Sequence, residues 1–268
     1  LVLDRTNWKF GSKDINILML GISYKNVAFP LMFKMLDKRG NSDTKERIDL
    51  IKQYIEWFGK QNINCLLADR EFVGSKWLEF LNNENIRYYI RIRNNFKIYS
   101  YQKQGEIKAF WLFNNLKVGE FYHHPKIVEL HGQRCYLSGS KTIDRDGNME
   151  FLIIVSFNKP EQAMIYYKQR WQIESLFKGL KSSGFNIEDT HVTDLERLEK
   201  LFSLTMIAFV WCYKIGDYLE ENIKKIIIKK HGRRAISVFK YGLDYLSKFL
   251  LTGFKSLENN LFCFLSCT

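Results

Sequence analysis

Three things this chain lacks narrow what it can be. Its five cysteines (Cys65, Cys135, Cys212, Cys263 and Cys267) are odd in number and form no CxxC pair. That argues against a disulfide framework or a cysteine-ligated zinc site, and for reduced intracellular thiols. Histidine is as sparse: His123, His124 and His131 have no matching partner set for zinc, and surface positions are expected for them. No long membrane-spanning run exists either. The longest strongly apolar stretch, Leu201 to Tyr213, is closed by Lys200 and Lys214, too short for a bilayer, and reads as a buried core helix. No secretory signal, internal repeat or low-complexity linker is visible.

What the chain does have is positive charge. It carries 41 Lys and Arg against 29 Asp and Glu, a net charge of +12. Such a surplus favours a polyanionic partner, of which nucleic acid is the commonest, although an anionic membrane surface or non-specific adhesion fits the same number. The densest basic patch is Lys224-Lys225, Lys229-Lys230-His231 and Arg233-Arg234. It reads equally as a solvated helix face and turn or as a contact to a DNA backbone. A hydrophobic content of 46%, with 21 Phe and 14 Tyr, suffices for a substantial core.

The most informative segment runs from Tyr167 to Lys181. Wound as one α-helix, it brings Tyr167, Arg170, Glu174, Lys178 and Lys181 into an arc of about 80°. The apolar residues Ile165, Ile173, Leu176, Phe177 and Leu180 fall mostly opposite. One carboxylate is thus ringed by a phenol, a guanidinium and two ammoniums. A carboxylate can hold a hard metal ion, and the surrounding donors can hold phosphate oxygens. Glu174 with Lys178 is also an ordinary i,i+4 pair on a solvated face.

Two further acids stand at the ends of apolar runs. Asp4 follows Leu1-Val2-Leu3, and Asp69 follows Ile63 to Ala68. Each has the pattern of a buried strand that delivers a carboxylate at its C-terminal end, and each alone is compatible with a turn or helix cap.

The spacing Tyr167-x2-Arg170-x3-Glu174-x6-Lys181 resembles the YREK signature of bacterial insertion-sequence transposases of the DDE type, in the insertion-sequence-4 branch. Trp171 and Lys178 stand where members of that family carry a tryptophan and a further lysine. The resemblance implies that Asp4, Asp69 and Glu174 form the catalytic, metal-holding triad, for two Mg²⁺ or Mn²⁺ ions. It implies DNA contacts by Tyr167, Arg170, Trp171, Lys178 and Lys181. The partners it implies are double-stranded DNA, as transposon ends and target, and further copies of the protein in a synaptic complex. Membrane association is not implied; the location is the bacterial cytoplasm, with the nucleoid. Asn7, Thr6 and Arg70 adjoin the acids and suit either substrate contact or support of the acids. Trp111 is a second base-stacking candidate, although a core position is expected for it. A nuclease without strand transfer, and a truncated remnant that only binds DNA, are the alternatives.

The expected fold is α/β: a ribonuclease H-like mixed sheet flanked by helices, interrupted by a β-rich insertion between the second and third carboxylates. Strands are expected at 1–8, 15–24 and 27–36, with turns at Gly11-Ser12 and Lys25-Asn26. A helix capped by Ser42-Asp43 runs to Gly59; strand 63–68, helix 74–84 and strand 86–93 follow. In the ribonuclease H-like order, strands one and four are neighbours. Residues 1–93 and 151–190 form the core, 94–150 the insertion, with strands near 107–113, 126–131 and 134–138, and 191–268 a C-terminal helical region with helices near 194–222 and 232–251. Strand 149–157 precedes Asn158-Lys159-Pro160-Glu161, which opens the signature helix. Because the sequence opens on Leu1 and its first catalytic strand begins at once, it is expected to be a catalytic domain without the helical upstream domain that in this family helps recognise transposon ends.

Overall fold

The computed structural model describes residues 1–10, 13–36, 38, 40–144, 146–181, 184–230 and 232–252. The expected Gly11-Ser12 turn, His231, Cys263 and Cys267 lie outside them. In chain order the elements are β1 (Val2–Phe10), β2 (Lys13–Tyr24), β3 (Val27–Leu36), α1 (Thr44–Phe58), β4 (Leu66–Ala68), α2 (Ser75–Asn83) and β5 (Tyr88–Ile92). Then come β6 (Lys97–Ser100), β7 (Gly105–Lys108), β8 (Phe121–His123), β9 (Val128–Leu130), β10 (Gln133–Ile143) and β11 (Met149–Ser156). The helices α3 (Ala163–Tyr167), α4 (Gln172–Leu180), α5 (Leu195–Asn222) and α6 (Val238–Thr252) complete the chain.

The chain divides into two compact units, one of residues 1–7 and 16–173, the other of 8–15 and 174–268. The strands join in the order β3-β2-β1-β4-β5-β11-β10-β9-β6-β7, with β8 on β10. Pairing is mostly antiparallel, but β1–β4 and β4–β5 are parallel. This mixed α/β architecture is compatible with a ribonuclease H-like fold. Local chemistry explains the frame. Lys25 and Asn26 take φ of 46° and 66°, as a tight hairpin turn requires. Asp43 and Glu46 form a capping box at α1, and Gly59 (φ 81°) ends it. One face of the first unit's sheet buries Leu3, Leu18, Leu20, Leu66, Ala68, Tyr88 and Ile90 with Leu50, Ile51, Trp77 and Leu81 from α1 and α2.

The β-rich stretch between residues 94 and 150 is continuous with that sheet, because β10 pairs along β11 and β11 pairs with β5. Its run 107–113 is not a strand throughout: β7 ends at Lys108 and a 3₁₀ turn covers Ala109–Leu112. Trp111 in that turn is 53% exposed and stacks on Phe110, against its expected core position, because the turn buries Ala109 instead. His124, expected at the surface, is buried, and burial lowers its pKa.

In the second unit α5 and α6 pack at Gly216 and Gly242. A methyl group on either would run into the other helix's backbone, at the Val238 or Cys212 carbonyl oxygen. Phe209 stacks on Phe239 with centroids 4.5 Å apart. Trp8, fully buried, meets Phe202 edge-on at 5.3 Å. The apolar run in α5 is only half a core helix: Phe202, Phe209 and Cys212 are buried, whereas Leu204 and Ile207 are exposed on the other side.

Candidate active site

The site grows from the parallel pair β1–β4. Their register sets Leu3 beside Ala68, both buried. Successive side chains alternate between sheet faces, so the next residues, Asp4 and Asp69, are offered away from that core. Asp69 follows the end of β4 as expected. Asp4 does not end its strand: β1 continues to Phe10. Each carboxylate is oriented by the next backbone amide. Arg5 N–H donates to Asp4 Oδ1 at 2.8 Å, and Arg70 N–H to Asp69 Oδ1 at 2.7 Å. Burial pushes the Asp4 carboxyl up to about 6, against the lowering effects of the Arg5 amide and the Arg170 guanidinium; the carboxylates of Glu71 and Asp69 raise it further.

Arg170 and Tyr167 reach one acid each. Arg170 Nη1 donates to Asp4 Oδ2 at 3.3 Å, and the Tyr167 hydroxyl to Asp69 Oδ1 at 3.5 Å. Both side chains are buried, not displayed on an open polar face as the helical reading expects. The cause is local geometry. The signature segment is not one α-helix; a 3₁₀ turn over Lys168–Trp171 separates α3 from α4. Residues three apart eclipse in a 3₁₀ turn, which aligns the phenol and the guanidinium. Ile165, expected on the apolar face, is 66% exposed for the same reason, whereas Ile173, Leu176 and Leu180 are fully buried. Burial holds the Tyr167 phenol well above its ordinary pKa, so it acts as a neutral donor. Trp171 is 64% exposed, with the Arg170 guanidinium 5.3 Å from its ring centre.

Glu174, Lys178 and Lys181 belong to the second unit. Glu174 lies in the first turn of α4 and Lys178 in its last, both exposed. Lys181 pairs with Glu188 at 3.4 Å and lies over the Trp8 ring at 5.3 Å.

A family model described as a transposase DDE domain matches residues 2–211. The chain belongs to that family. No curated protein matches it. Members of the family act on DNA and generally use divalent metal ions.

Asp4 and Asp69 suit such an ion in this transposase domain. They offer only oxygen, the ligand hard cations select, and a cation would relieve the buried Asp4 charge. Among the described residues no group of three or more His, Cys, Asp or Glu side chains is gathered as a metal cage. No described helix is long and apolar enough to cross a membrane.

Beside Asp69 the transposase domain has an open pocket of 360 Å³ lined by Arg70, Arg91, Arg93, Asn94, Asn95 and Glu150, among others. Arg91 and Glu150 form an ion pair at 2.5 Å. The sequence signals this feature only as arginines alternating in the run 86–93, and nothing in the pattern ties them to Asp69. The pairing of β4 with β5 does so, by setting Ala68 opposite Ile90.

Proposed function

We propose that this chain is the catalytic domain of an insertion-sequence-4-type transposase with a YREK signature, which cleaves and rejoins DNA strands at the ends of a mobile element. The observation that carries the reading is the pairing of Asp4 with Arg170 and of Asp69 with Tyr167, one acid within β1 and one just past the end of its neighbour β4, each met by a signature residue. Asp4 and Asp69, with Glu174 as the third acid on the signature spacing, would hold Mg²⁺ or Mn²⁺. Such ions would supply a lowered pKa for the attacking water or hydroxyl and would offset charge on the leaving oxygen.

The protein's own groups position the substrate. Arg170 swings from Asp4 to a non-bridging phosphate oxygen, where its fork gives two parallel hydrogen bonds. Tyr167 donates its hydroxyl to the same phosphate. Lys178 and Lys181 act as point charges along the backbone, and Trp171 stacks on an unpaired base. In the first step water attacks phosphorus and the 3′ oxygen leaves, giving a 3′-hydroxyl and a 5′-phosphate. In the second that 3′-hydroxyl attacks target DNA and displaces a new 3′ oxygen.

The test is Mg²⁺- or Mn²⁺-dependent nicking of supercoiled DNA, and joining of pre-cut ends, by this chain and by Glu174→Gln. Cleavage and joined products that vanish in the variant support the reading. Cleavage without joining indicates a nuclease, and binding without cleavage a remnant.

A further inference from the structure

Beneath the two acids, on the opposite side of the sheet, lies a group that the reaction itself does not use. Arg5 follows Asp4, so its side chain leaves the other face of β1. There its Nε and Nη2 meet Glu71 Oε1 and Oε2, both at 3.0 Å, in a two-pronged ion pair. Its remaining donors go to Asn7 Oδ1 at 2.5 Å, Asn16 Oδ1 at 2.8 Å and Asn41 Oδ1 at 3.0 Å. A guanidinium has five N–H donors, and here all are used. The Arg5 side chain is 11% exposed and that of Glu71 23%.

The position of this pair is what gives it a role. The ladder between β1 and β4 stops at Leu3 and Ala68, so no ladder bond fixes Asp69 beside Asp4. The next link between the two segments is Arg5 to Glu71. Each acid, moreover, is oriented by the amide of the residue that follows it, Arg5 or Arg70. A clamp between residues 5 and 71 therefore sets the spacing of the two amides and, through them, of the two carboxylates.

We propose that Arg5 and Glu71 are positioning residues: their ion pair extends the strand pairing by side chains and holds Asp4 and Asp69 at the separation a divalent cation needs. This rests on the proposed metal-dependent function. Outer contacts that orient metal-ligating residues typically contribute about 10–100-fold to metal affinity; the Arg5 and Glu71 side chains act on the two acids through the backbone rather than by bonding them directly. A lysine at position 5 keeps the charge but has three donors on one nitrogen and cannot grip both Glu71 oxygens in parallel.

The experiment is an electron paramagnetic resonance titration of Mn²⁺ into the intact chain, Glu71→Gln and Arg5→Lys, with thermal melts to establish folding and DNA nicking in parallel. Folded variants that bind Mn²⁺ at least about tenfold more weakly than wild type are expected. The affinity of the folded fraction is blind to a mere loss of stability, so folded variants within twofold of wild type overturn the clamp. Should neither variant fold, Asn41→Ala, which removes one bond from the exposed side, is read instead, and unchanged affinity there overturns the proposal. Wild type that binds Mn²⁺ through the clamp without cutting DNA sinks the transposase reading alone. Wild type that cuts, with variants of unchanged affinity, sinks the clamp alone. No Mn²⁺ binding by wild type sinks both.

Discussion

Arg170 lies 3.3 Å from Asp4 across a nearly dry contact, its side chain 6% exposed. Even with that cation adjacent, burial holds the Asp4 carboxyl at about 6. The folded protein therefore favours the protonated acid more than the unfolded chain does, and its stability is lost as pH rises through about 4 to 6.

Asp4→Asn removes this penalty. Above pH 6 the variant should be more stable than wild type without metal by roughly 3 kcal/mol, from a shift of about two pK units at 1.36 kcal/mol each. At pH 3.5 the difference should vanish. Urea unfolding at pH 3.5 and pH 8 measures it, and equal stabilities at pH 8 would show that the Asp4 carboxylate is better solvated than its burial implies.

Arg170→Gln takes away the cation and keeps the shape. The Asp4 carboxyl then rises above its present value, so stability should fall more steeply between pH 4 and 8 than in wild type. DNA nicking should drop about tenfold or more, as expected when a charged phosphate contact of ~1.5–3 kcal/mol is lost. Unfolding curves across pH together with nicking rates check both effects.

Trp171→Ala should leave stability within about 0.5 kcal/mol, since an exposed residue is removed. Its effect should lie in DNA binding, weakened by about 1–3 kcal/mol for a substrate with an unpaired base at the cleavage end. Fluorescence anisotropy with paired and unpaired ends separates the cases, and equal losses on both would argue against stacking.

Gly216→Ala tests the second unit. Its added methyl meets the Val238 carbonyl oxygen, and overpacking of this kind costs about 1–3 kcal/mol. A fall in the denaturation midpoint of that size is expected, and an unchanged midpoint would mean that α5 and α6 separate at little cost.

Local patterns in the sequence carry much of this architecture. The capping box at Asp43, the Lys25-Asn26 turn, the Asp194 cap of α5 and the apolar runs before Asp4 and Asp69 all act within a few residues. That β1 and β4 are parallel neighbours is expected only from the ribonuclease H-like order that the family resemblance implies. The rest depends on partners far along the chain. Glu71 is 66 positions from Arg5, and no periodicity announces their pairing. The 3₁₀ turn at Lys168–Trp171 is invisible because the same residues suit an α-helix, and the burial of Tyr167 and Arg170 depends on Asp69 and Asp4, far along the chain. His124 and Trp111 exchange their expected environments because neighbours outside their own short elements decide which side is covered.

The meeting of Trp8 with Phe202 also bears on how the protein is made. The two residues are 194 positions apart, so at about 5–20 residues per second Trp8 is synthesised roughly 10–40 s before its partner. Through that interval the indole has no Phe202 to cover it. A nascent chain stalled before α5 lacks this contact altogether.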